Sequence, residues 1–225
     1  MNSTLTYKDH ISTEDTGDSC YSVAWNDQQL YIGGQASLIT HNTMTGQETN
    51  KVLPVGNSLF CFRTFGNGDL AVLTVLQGKD KGLRNVRISS MESLFNKKAL
   101  ACTFPQDNLH LCHIAVTDNC IAACNSGSGK GNVTLYNASG DEMYAIGAGQ
   151  LQRPWGVFLL GGESVLVTDS INGRLFKYKL EADAKPMWVC ERLTSPTGIS
   201  LDAEGNIIVA SNSGARIYVV SPEGK

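Results

Sequence analysis

Residues 151–180 read LQRPWGVFLLGGESVLVTDSINGRLFKYKL, and residues 193–224 read LTSPTGISLDAEGNIIVASNSGARIYVVSPEG. Both stretches follow one order of parts: Pro-x-Gly, an apolar run, a Gly turn, a second apolar run, a polar loop, then Arg and a third apolar run. Pro154 and Pro196, Gly156 and Gly198, and Arg174 and Arg216 each lie 42 residues apart. Each run is short, rich in β-branched or aromatic residues, and bounded by Gly, Asn, Asp or Ser, which predicts a strand. Val165 to Val167 and Ile207 to Val209 are continuous apolar runs, as expected of strands covered on both faces.

A strand-built unit repeating at this period is the sequence form of a β-propeller. Working outward, the same rhythm runs back through LHLCHIAVT, CIAACN, NVTLYNAS and MYAIGAG, through LFCFRTF, DLAVLTVL, LRNVRISS and KALACTF, and through CYSVAW, QLYIGG, ASLITHN and ETNKVLPV. The expected fold is all-β: one propeller domain over residues 1–225, with five four-stranded blades at about 19–55, 58–105, 108–150, 151–193 and 194–225. The last blade holds only three strands. Residues 3–11, STLTYKDHI, are expected to supply its fourth and close the ring, because an open ring leaves sheet edges unprotected. Six blades is the alternative count, if the chain is truncated or the interval between Phe60 and Cys112 divides differently.

The fourth copy resembles the NHL repeat of TRIM-type ubiquitin ligases. The family pattern Pro-x-Gly-Val, Val-x-Val-x-Asp and Asn-x-Arg-Leu is carried here by Pro154, Gly156, Val157, Val165, Val167, Asp169, Asn172, Arg174 and Leu175. The fifth copy keeps Pro196, Gly198, Ile199, Gly205, Arg216 and Ile217, with Ser211 in place of the Asp and Gly214 in place of the Asn. The match covers about 75 residues, and the family's propellers usually have six blades. The resemblance implies a non-catalytic module that binds protein or RNA. Asp169, Asn172 and Arg174 are expected to fix a turn, since Asp and Asn side chains bond nearby backbone N–H groups and Arg reaches carboxylates or carbonyls.

Composition narrows the functional classes. The chain is 42% hydrophobic with a net charge of -3 and a pI near 5.8, which argues against a surface built wholly for nucleic acid. No apolar run is long enough for a membrane span. The N-terminus is polar, unlike a secretory signal. Seven cysteines, an odd number, sit mostly in apolar runs, favouring reduced thiols and a cytoplasmic protein.

The candidate contact residues fall in loops on one face of the expected disc. Lys79, Lys81 and Arg84 lie between the second and third strands of blade two, and Lys130 holds the corresponding place in blade three. Four cations converging on one rim would attract phosphate or an acidic peptide. Arg153 and Trp155, with Arg192, lie where the chain enters the inner strands of blades four and five. Arg beside an exposed Trp stacks a base or anchors a peptide. The alternative role for Trp155 is packing between blades.

Other chemistry is weaker. His110, Cys112, His113, Cys120 and Cys124 cluster in sequence, but His113 points away from His110 and Cys112 on a strand, and no Cys-x-x-Cys is present. No metal or cofactor is expected. A metal-dependent hydrolase or lyase is the minor alternative, with His110, His113 and Asp202 a thin set of candidate metal ligands on the inner runs. Protein is the favoured partner, single-stranded RNA at the basic rim is the second, and DNA and membranes are not expected.

Overall fold

The computed structural model describes residues 20–26, 29–34, 37–42, 44–52, 57–64, 70–76, 84–89, 102–104, 111–127 and 131–225. Residues 3–11, the expected closing strand, lie outside them. The described residues form nineteen strands. β1 (Cys20–Asn26), β2 (Gln29–Gly34), β3 (Ser37–Asn42) and β4 (Glu48–Val52) make the first sheet. β5 (Asn57–Thr64), β6 (Leu70–Leu76), β7 (Arg84–Ser89) and β8 (Cys102–Phe104) make the second. The third holds β9 (Leu111–Thr117), β10 (Cys120–Asn125), β11 (Gly131–Asn137) and β12 (Glu142–Leu151). The fourth holds β13 (Pro154–Leu160), β14 (Ser164–Asp169), β15 (Arg174–Lys179) and β16 (Pro186–Cys190). The fifth holds three strands, β17 (Pro196–Leu201), β18 (Ile207–Ser211) and β19 (Arg216–Val220).

Every sheet is an antiparallel meander in chain order. The first strands of successive sheets pack in series, β1 with β5, β5 with β9, β9 with β13 and β13 with β17. This is the propeller arrangement, and the protein is an all-β propeller of five sheets.

Strand alternation divides the core. All of β14 is buried. Val165 and Val167 join Ala122, Cys124, Val133 and Leu135 of the third sheet on one side. Leu166 turns the other way and joins Leu175, Ile207 and Val209 between the fourth and fifth sheets. A strand whose odd and even residues both meet apolar neighbours needs an unbroken apolar sequence, which Val165, Leu166 and Val167 supply at the centre of β14.

The entry of each inner strand is irregular in the same way. Pairing slips between Pro154 and Val157 in the fourth sheet, and between Pro196 and Ile199 in the fifth. The bulge leaves backbone N–H groups unpaired by the ladder. At Gly156 the freed N–H donates to Thr168 Oγ1 at 2.8 Å, and at Val157 it donates to His113 Nδ1 at 3.5 Å. Thr168 then donates to the Thr197 carbonyl at 2.8 Å, bridging β14 to β17 of the next sheet. Gly156 must be glycine for space: a Cβ there would overlap the Thr197 carbonyl. Gly173 is needed twice over, because its φ is +64° and a Cβ would run into the Leu193 carbonyl.

Candidate ligand-binding face

The last residue of the second strand sets the loops of one face. Asn125 closes β10, Asp169 closes β14 and Ser211 closes β18, and all three are buried. Asp169 has no exposed surface. Its carboxylate accepts from Gln152 N at 2.8 Å, Arg153 N at 3.0 Å and Asn172 Nδ2 at 2.8 Å. A buried carboxylate is costly unless its lone pairs are used, and these three donors use them. In the fifth sheet Ser211 does related work with less charge: its Oγ donates to the Thr194 carbonyl and accepts from Gly214 N at 3.1 Å. Asn125 accepts from Gly127 N at 3.1 Å.

The β12–β13 loop is thereby fixed at several points. Arg153 gives its N–H to Asp169, while its carbonyl accepts from Ser170 N at 3.0 Å and Ser170 Oγ at 3.1 Å. Pro154 follows, buried, with its φ set by the ring. Arg153 lies in the bend just before β13, and Trp155 is the second residue of that strand. The Arg153 guanidinium sits 5.1 Å from the Trp155 ring centroid, within cation–π range. Trp155 is half-buried and packs against the core between the third and fourth sheets, so it both fills that junction and shows part of its ring. Arg153 is exposed.

Arg192 is exposed in the loop between β16 and β17, with φ +68°. Arg174 opens β15 and pairs with Glu191 at 3.0 Å, across the sheet from the Asp169–Asn172 hydrogen bond. Arg216 holds the same position at the start of β19, opposite Ser211, and is exposed. Pro196 is buried at the start of β17, and Gly198 has only the Ala210 methyl near its Cα. Lys79, Lys81 and Lys130 lie outside the described residues. Arg84 opens β7, and its side chain lies outside them too.

The cysteine and histidine cluster separates in space. His110 lies outside the described residues. Cys112 Sγ is 2.9 Å from Ser126 Oγ, and His113 meets the Val157 N–H. Cys112, Cys120, Cys124 and Cys190 carry no disulfide. Burial pushes the Cys120 thiol up, and burial followed by the Glu191 charge does the same at Cys190. Among the described residues no three His, Cys, Asp or Glu side chains are grouped to hold a metal ion, and no helix is long and apolar enough to cross a membrane.

Two of the residues that shape this face carry little sequence signal. Thr168 precedes Asp169 and looks like an ordinary strand residue. Its bridge to Thr197 depends on how closely two sheets approach. Asn125 is more legible, since it ends an apolar run as Asp169 and Ser211 do.

No protein-family model and no curated protein matches the sequence. Solved structures do resemble the fold. A chain of the nidogen/laminin complex superposes with a TM-score of 0.73 at 9% identity, over 91% of this chain and 76% of that one. Streptogramin B lyase gives 0.67 at 12% identity, over 92% and 66%. The Pan2 WD40 domain of Neurospora crassa gives 0.65 at 11% identity, over 89% and 62%. At such identities the likeness establishes the propeller fold alone, which serves both binding proteins and an enzyme.

Proposed function

We propose that the protein is a non-catalytic recognition module that binds another protein through the face carrying Arg153 and Trp155. The observation that supports this is the Arg153–Trp155 stack itself, held by the buried Asp169 carboxylate. Trp and Arg are the residues that most often dominate protein interfaces, and a contact fixed before binding loses less entropy on association. The NHL-like signature of residues 154–175 supports a docking role of the kind TRIM–NHL propellers serve, with the propeller holding a substrate or partner in a ubiquitin-ligase context. The structural resemblance to a chain of the nidogen/laminin complex and to a WD40 domain is compatible with that role.

The test is affinity capture from a cytosolic extract on the immobilised chain, with and without ribonuclease, against a variant carrying Arg153→Ala and Trp155→Phe. The expected result is a set of proteins retained after ribonuclease treatment and reduced about tenfold on the variant, a change of about 1.4 kcal/mol. Retention that vanishes with ribonuclease would assign the face to RNA. Retention indifferent to the variant would remove this face from the binding surface.

A further inference from the structure

Resting on the reading of this face as a protein-binding surface, we infer that Arg153 and Trp155 form a carboxylate-recognition site, whose ligand is an acidic peptide segment presenting an Asp or Glu beside an apolar side chain.

The backbone of this loop does not depend on an arginine or a tryptophan at these two positions. In the fifth sheet the equivalent positions are Ser195 and Thr197, 42 residues on, and the same backbone bond forms there: Asn212 N donates to the Ser195 carbonyl as Ser170 N donates to the Arg153 carbonyl. That bond therefore forms without a cation or an aromatic ring at these positions. What the fourth sheet adds is an exposed guanidinium on an indole.

The charges around it are unequal. Arg174 is already neutralised by Glu191. Among the described residues, no carboxylate pairs with Arg153 or Arg192. The Arg153 guanidinium lies over the Trp155 ring, and a guanidinium so placed can grip a carboxylate with two parallel N–H bonds from its edge. The exposed part of the Trp155 ring lies beside that fork and offers apolar surface to the neighbouring side chain. The backbone of Arg153 is tied at both its N–H and its carbonyl, so the anchor's main chain is already ordered when the ligand arrives. A polyphosphate is the less suitable ligand, because nucleic-acid affinity comes from several phosphate contacts together, whereas this site offers one guanidinium.

The test is selection of a random twelve-residue peptide library displayed on phage by the full chain, followed by fluorescence anisotropy of the enriched peptides. Enrichment of Asp or Glu next to an apolar residue is expected. Arg153→Ala should weaken those peptides about tenfold or more, and Arg153→Lys should recover only part, because a point charge lacks the fork. Circular dichroism melts of both variants should match the parent, Arg153 being exposed. Enriched peptides with no acidic preference, or affinity unchanged in Arg153→Ala, would overturn the carboxylate site and leave the face as a protein-binding surface of other chemistry. No enrichment at all would overturn both readings. A random single-stranded RNA pool run in parallel, bound tightly and lost in Arg153→Ala, would reassign the site to phosphate.

Discussion

Leu175 in the fourth sheet has no exposed surface, while Ile217, its counterpart 42 residues on in the fifth, is 64% exposed. Gly156 lies against the Thr197 carbonyl, whereas its counterpart Gly198 has room for a methyl. Asp169 is a buried charge with three donors, and Ser211 in the same place is a hydroxyl with one donor and one acceptor. The two sheets share a plan and a register of pairing. They differ in coverage: the fourth is packed on both faces, and the fifth shows Ile217 and Val219 on the face turned away from it. Similar sequences thus bear different loads, set by how much of each sheet its neighbours cover.

The largest difference should appear in the apolar faces. Leu175→Ala should cost about 2–5 kcal/mol, the range for emptying a buried leucine site, while Ile217→Ala should stay within about 0.5 kcal/mol. Urea unfolding of both variants measures this. Equal costs would mean that something covers the fifth sheet in solution, and the contrast would break.

The glycines come next. Gly156→Ala should lose about 3 kcal/mol, the upper end for overpacking, because the obstruction is backbone and cannot rotate away. Gly198→Ala should be neutral or slightly stabilising, since it removes freedom from the unfolded chain at no steric cost. Thermal melts would order the two.

Removing the turn anchors should separate the sheets less widely. Asp169→Asn keeps the shape but gives up charge-assisted bonds, at about 1.5–3 kcal/mol, and Ser211→Ala should cost about 1 kcal/mol. Asp169→Asn should also weaken any ligand held by Arg153, whereas Ser211→Ala should leave it unchanged. A ligand insensitive to Asp169→Asn would detach the anchor from its support.

The smallest effect is in alkaline titration. Burial, followed by the Asp169 charge, pushes the Tyr178 phenol above its ordinary value of 10.0. Hydrogen bonding from Thr194 holds Tyr218 below it. Tyr178 therefore stays neutral in the fold at pH values where the unfolded chain ionises. Its contribution to stability is complete below pH 10 and is lost as pH rises above it. Absorbance at alkaline pH should lose a phenol from the low-pH part of the titration in Tyr218→Phe, and Tyr178→Phe should lose less stability above pH 10 than the parent.

Much of this was legible in sequence where the signal was periodic. The 42-residue spacing, the strand grammar and the five-sheet count need only alternation and turn residues, and Asp169 followed by Asn172 suggests a turn by itself. What sequence did not show was the direction of the bonds. Asp169 reaches back to the N–H groups of Gln152 and Arg153 before β13, and Arg174 turns to Glu191, in the loop after β16. Neither partner is close in sequence. Trp155 was readable as a packing residue or a contact residue, and it fills a junction while exposing part of its ring. Thr168 and His113 act across sheet boundaries, where no local pattern carries information.

The one-sided packing of the fifth sheet also has a bearing on motion. A sheet with few buried apolar contacts on one face opens with less work than one packed on both. Backbone amides of β18 and β19 should therefore exchange with solvent sooner than those of β14 and β15. The Arg153–Trp155 anchor leans on the third and fourth sheets, away from that margin. Opening of β19 can proceed without disturbing the proposed recognition face, and a ligand bound there should slow exchange in β13 and β14 while leaving β19 to breathe.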